Sequence, residues 1–162
     1  MSDGEARKRR AAALWQQGQE QQLRGRLDEA IALYSESIRT FPTAEAHTYR
    51  GWAYSFQGRI DEAISECKRA IAVDASFGNP YNDIGAYLMK LGRLDEAGEW
   101  FEKAKRAARY EPRHFPFMNQ GRRLAQQGRV AAAVEEFTQA LALLPGEATC
   151  VQALAELRAR LN

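Results

Sequence analysis

The chain has 162 residues, 45% hydrophobic and 27% charged, a balance that fits one folded domain and excludes a disordered tract. Lys and Arg total 23 against 21 acidic residues, and a net charge of +2 is too small to imply nucleic acid or membrane by itself. No stretch approaches the roughly 18 consecutive apolar residues of a membrane span, so stable membrane insertion is not expected.

In chain order, the first segment is a basic arm over residues 1–10, carrying Arg7, Lys8, Arg9 and Arg10. It turns Gln-rich instead of entering an apolar stretch, so no secretory signal is predicted and a cytoplasmic protein is expected. A phrase then recurs: "GRLDEAI" at 25–31, "GRIDEAI" at 58–64, "GRLDEAG" at 92–98 and a faded "GRVAAAV" at 128–134. Its glycines are 33, 34 and 36 residues apart, and Gly18, Gly51, Gly85 and Gly121 run seven residues upstream with the same spacings. Ala30, Ala63, Ala97 and Ala133 form a third series, five residues downstream of the first. Three series with one period make an internal repeat of about 34 residues, in the range of helical solenoids.

Each unit reads as two helices. Tyr81, Ile84, Tyr87, Leu88 and Leu91 share one helical face and define a first helix. Ile60, Ala63, Ile64, Cys67, Ala70, Ile71 and Val73 form the stripe of a second, matched by Val130, Ala133, Val134, Phe137, Ala140, Leu141 and Leu143. The glycine of the phrase supplies the turn, and Asp28, Asp61 and Asp95 are expected to cap the second helices and place negative charge at their positive ends. Glycine and alanine inside helices let neighbours approach closely. Cys67 and Cys150, far apart within helical patterns, are expected as reduced, buried thiols. Cys150, Leu154, Leu157 and Leu161 place one more helix after Pro145 and Gly146.

These residues resemble the tetratricopeptide repeat family. The resemblance is carried by Gly51, Tyr54, Gly58, Ala63 and Ala70, by Tyr81, Gly85, Gly92, Ala97, Phe101 and Ala104, and by Phe117, Gly121, Gly128, Ala133, Phe137, Ala140 and Pro145. Gly18, Gly25, Ala30, Tyr34 and Pro42 carry it in the first unit. It implies an all-α fold, a right-handed superhelical solenoid of antiparallel helix hairpins. Its units would span 11–43, 44–77, 78–111 and 114–147, with 148–162 as a capping helix. Gln17, Glu20 and Gln21 suit a terminal repeat whose outer face meets water. Pro112 and Arg113 are extra residues between the last two units, and with Phe115 and Phe117 they mark 110–119 as a special junction that changes the superhelical step.

In this family the first helices line a concave surface that holds a segment of another protein. The resemblance places Trp15, Gln19, Thr48, Tyr49, Trp52, Phe56, Asn82, Asp83, Met89, Phe115, Met118, Asn119 and Arg122 there. Aromatic rings with a few amides and charges suit a peptide, rings covering apolar side chains and amides pairing with backbone. A chaperone-carboxylate clamp is not expected. Its cationic pair is missing, whether the positions fall on Trp15, Gln19, Tyr49, Asn79 and Asp83 or on Thr48, Trp52, Asp83, Phe115 and Asn119.

The cluster Lys103, Lys105, Arg106, Arg109 and Arg113 reads as a solvated face balanced by Glu99, Glu102 and Glu111, so nucleic acid is not expected as a partner. Catalysis finds no support: His47 and His114 read as packing or surface residues, and the glycines follow no strand that would make a phosphate loop. No metal site or cofactor is expected. The sequence thus favours a non-enzymatic adaptor or scaffold that binds a protein or peptide. A dedicated secretion-substrate chaperone and a self-assembling scaffold are the alternatives, and frequent Arg, Ala and Gly suggest a GC-rich bacterial genome.

Overall fold

The repeated phrase forms the same turn four times. In the computed structural model, which describes residues 1–162, Gly25, Gly58, Gly92 and Gly128 all have φ between 76° and 78°. At Gly58 a Cβ would meet nothing within 4 Å, so the left-handed backbone, not space, demands glycine. There the Gly58 N–H donates to the Ser55 carbonyl and the Arg59 N–H to that of Tyr54, the paired bonds of a Schellman stop.

These turns join α1 (Asp3–Leu23) to α2 (Leu27–Thr40), α3 (Ala44–Phe56) to α4 (Ile60–Val73), α5 (Asn79–Lys90) to α6 (Leu94–Arg106) and α7 (Phe115–Gln126) to α8 (Val130–Leu143). A last helix, α9 (Ala148–Leu161), lies on α8 and buries Cys150, Leu154 and Leu157, while Leu161 stands exposed. The chain is all-α, with a lone backbone bridge between Phe77 and Arg109 and no strand. Each helix packs on its hairpin partner and on the next helix in the chain. In addition α1 touches α3, α3 touches α5 and α5 touches α7, whereas the second helices approach one another less closely. A stack that is tighter on one side curves toward it, so the first helices form the inner face.

Small residues set the hairpin spacing. A Cβ on Gly18 would fall 2.5 Å from the Tyr34 ring, and one on Gly121 would fall 2.7 Å from Phe137. The aromatic rings therefore occupy the volume that side chains would need. Phe101 and Tyr34 are fully buried, each contributing about 2–3 kcal/mol of apolar burial. One core cluster joins Ala63, Ile64 and Cys67 of α4 to Ile84, Tyr87 and Leu88 of α5 and Ala97 and Phe101 of α6, crossing from one hairpin to the next. Both cysteines are buried free thiols.

Two expectations are corrected. Asp28, Asp61 and Asp95 do not cap: the N-caps are Arg26, Arg59 and Arg93, without a side-chain cap bond. The acids sit within the first helical turn, where only their charge acts on the dipole. The basic arm is no separate segment, because α1 begins at Asp3 and Ser2 caps it reciprocally with Glu5. Good helix formers carry α1 past the first repeat. His47, read as a packing or surface residue, is buried, and it packs as part of an ionic cluster around Glu66.

Candidate functional site

The inner face carries two aromatic groups. On α1 and α3, Trp15 packs on Tyr49 with ring centroids 5.4 Å apart, and Tyr49 lies 6.3 Å from Tyr34 beneath it. One turn further along α3, Trp52 meets Phe56 edge-on at 5.5 Å. Trp15, Tyr49 and Trp52 are half-buried and Phe56 is 62% exposed, so each ring keeps a surface open to solvent. Gln19 and Met89 are half-buried as well, and Phe115 and Arg122 are exposed.

Three expected surface residues are withdrawn into the fold. Thr48 is 1% exposed and donates its hydroxyl to the Ala44 carbonyl, Met118 is 3% exposed in the core beneath α7, and Asn82 is 7% exposed. Helical periodicity places a residue on a face, but these sit where that face meets a neighbouring helix. Asn82 accepts from Asn119 Nδ2 at 3.0 Å, and Asn119 Oδ1 accepts from Arg122 at 3.0 Å, a polar ladder across α5 and α7. Asn119 keeps one N–H for another partner.

Asp83 is the electrostatic exception. It is half-buried on α5, and burial alone pushes its carboxyl up to about 7, with no cation opposing the shift. Its charge in turn raises the phenols of Tyr49, Tyr87 and Tyr110, for each of which burial is the larger cause. Nearby, Arg109 ties the ends together: it donates to Asp74 at 2.8 Å and Glu45 at 3.1 Å and lies 4.4 Å over the Phe77 ring. The Arg109 N–H donates to the Ser76 carbonyl, and its own carbonyl accepts from Gly78, stitching the 107–114 connector to the 74–78 connector.

Away from this face lies an ionic cluster that periodicity did not reveal. Glu66, 1% exposed, accepts from His47 Nδ1 at 3.0 Å, from Arg50 Nε at 2.9 Å and Nη2 at 2.8 Å, and from Arg69. Burial works against its charge, but the His47 and Arg50 hydrogen bonds and the Arg50 charge win and hold the carboxyl down at about 2. Every oxygen lone pair of Glu66 is thereby engaged, leaving none for a substrate. Its only local signal is a Glu bordering the apolar stripe of α4, one helical turn before Arg69.

With this geometry in hand, a family model described as tetratricopeptide repeat matches residues 17–80 and again 57–112. The chain belongs to the tetratricopeptide repeat family. Its repeats are similar to those of small glutamine-rich tetratricopeptide repeat-containing protein 2 of Mycosarcoma maydis, 35% identical over 75 residues, 46% of this chain and 21% of that protein. TPR repeat-containing thioredoxin TTL4 of Arabidopsis thaliana is 29% identical over 98 residues, 60% of this chain and 13% of that protein. The chain thus spans about a fifth or less of these curated relatives. Among solved structures, that of Pseudomonas aeruginosa pilF superposes with a TM-score of 0.90 at 24% identity, over 96% of this chain and 71% of that one. The likeness to pilF is one of fold. Tetratricopeptide repeats mediate protein–protein interactions, and no helix here is long and apolar enough to cross a membrane.

Proposed function

We propose that the protein is a non-enzymatic adaptor whose inner face, built from α1, α3, α5 and α7, captures a segment of a partner protein. The observation that carries this reading is the pair of aromatic groups, Trp15 of α1 with Tyr49 of α3 and Trp52 with Phe56 along α3, each with ring surface open to solvent. Phe56 is 62% exposed although its ring meets Trp52, and contiguous exposed rings mark interaction surfaces. Asp83 and the free N–H of Asn119 supply polar contacts beside them.

The test is affinity capture from native lysate with wild-type protein and a Trp52→Ala, Phe56→Ala variant, with bound proteins identified by mass spectrometry. Both proteins should show the same helical circular dichroism. A partner held by the wild type and lost from the variant supports the groove. Equal capture of every partner by the two proteins refutes it.

A further inference from the structure

The outer side of the stack holds an open cleft of about 540 Å³ between α4 and α6, with Tyr81 of α5 in its lining. Tyr81 and Trp100 form its aromatic wall, with ring centroids 6.3 Å apart, and Ile71 lines it from α4. Lys68, Lys103 and Arg106 converge on it, and no carboxylate lines it. Among these cations Lys103 alone has an ion-pair partner, the exposed Glu99 at 3.4 Å, and its ammonium also lies 4.5 Å over the Trp100 ring.

The register of the repeats explains the imbalance. Trp100 stands eight residues after its turn glycine, where the adjoining hairpins have Glu66 and Glu136. Lys103 corresponds to Arg69, and Tyr81 to His47. In the second hairpin the carboxylate is internal: Glu66 accepts from both His47 and Arg69. In the fourth, Glu136 accepts from Lys105 at 2.8 Å. In the third hairpin an aromatic pair has taken the place of the His–Glu pair, and Lys103 keeps only the exposed Glu99. The cation that in the second hairpin meets an internal carboxylate is here left to receive one from outside.

We infer that this cleft is a second binding site, which takes an acidic segment of a partner protein, its carboxylates meeting Lys68, Lys103 and Arg106 while an adjacent apolar side chain covers Tyr81 and Trp100. Nucleic acid fits less well. A phosphate backbone draws its affinity from many phosphate contacts along a basic stripe, whereas here the cations crowd one cleft and exposed Glu96 and Glu99 share α6 with Lys103 and Arg106. A docked acidic segment needs only a few paired charges and one apolar anchor. The cleft and the inner face lie on opposite sides of the stack, so both can be occupied at once, and this site does not depend on the groove.

The three tryptophans give a direct readout, because Trp15 and Trp52 face inward and Trp100 lines the cleft. A short acetylated and amidated peptide of alternating Glu and Phe is titrated into the wild-type protein, and the indole N–H resonances are followed by 1H–15N NMR, with Trp100→Phe providing the assignment. Trp100 should shift and the other two should not. Three exposed charge contacts that each change binding about two- to fivefold predict that Lys68→Gln, Lys103→Gln, Arg106→Gln together weaken binding at least roughly tenfold. Far-UV circular dichroism of that variant should match the wild type. The inference is overturned by an equal shift with the Gln-for-Glu peptide, by undiminished binding to the folded triple variant, or by movement of Trp15 and Trp52 instead. A single-stranded oligonucleotide that displaces the peptide at lower concentration would also overturn it.

Discussion

Replacing Asp83 by asparagine should make the protein more stable at neutral and alkaline pH, and by an amount that depends on pH. The carboxyl sits at about 7 in the folded chain against an ordinary value of 3.8, so folding binds its proton. With the folded value raised, the folded state holds more protons than the unfolded one between these limits, and stability falls as pH rises through them. Below pH about 4 both states are protonated and the carboxyl has no effect. Above pH about 7 the full penalty is present: about three pKa units at 1.36 kcal/mol each, or about 4 kcal/mol. Water at the open edge of this half-buried residue reduces what is realised, so a gain of about 2–4 kcal/mol at pH 8 is expected for Asp83→Asn. Urea unfolding of both proteins, followed by circular dichroism at fixed ionic strength from pH 4 to pH 8, measures the difference. All other titrating groups are common to the two proteins and drop out of that difference to first order. Parallel stability curves would refute the reasoning, since they would mean that the carboxylate is solvated and titrates normally.

Glu66 works in the opposite sense. Its folded value of about 2 lies below the usual 4.5, so its stabilisation is complete above the ordinary value and is lost as pH falls toward 2. Glu66→Ala leaves Arg50 and His47 facing a buried gap and should cost about 3–5 kcal/mol, read as a lower urea midpoint at pH 7. Gly121→Ala drives a methyl into the Phe137 ring and should cost about 1–3 kcal/mol, measurable by thermal melting.

The fold was legible because it is written redundantly. A left-handed turn that only glycine adopts cheaply, preceded seven residues upstream by a glycine that meets an aromatic ring in three of the four hairpins, recurs every 33 to 36 residues, and each copy corroborates the others. The site was only partly legible. Periodicity assigned Trp15, Tyr49, Trp52 and Phe56 to the first helices, where they keep exposed surface, but it could not separate them from Thr48, Asn82 and Met118, whose exposure depends on how the next hairpin packs. Glu66 and Asp83 illustrate the same limit in charge. Both are acidic residues on half-apolar helices, and their opposite fates follow from Arg50, which reaches one of them, while no cation reaches the other. Such partners come from other helices, so no local pattern announces them.

The contacts of this chain run only between adjoining hairpins. The first hairpin therefore has no direct knowledge of the last, and the molecule is a row of coupled units that frays from its ends. A partner segment lying along α1, α3 and α5 would join the first hairpin to the third, which pack on the second but not on each other, acting as a splint. Its grip would then be felt as slowed amide exchange in helices it never touches, and the stiffness of the whole row would report its presence.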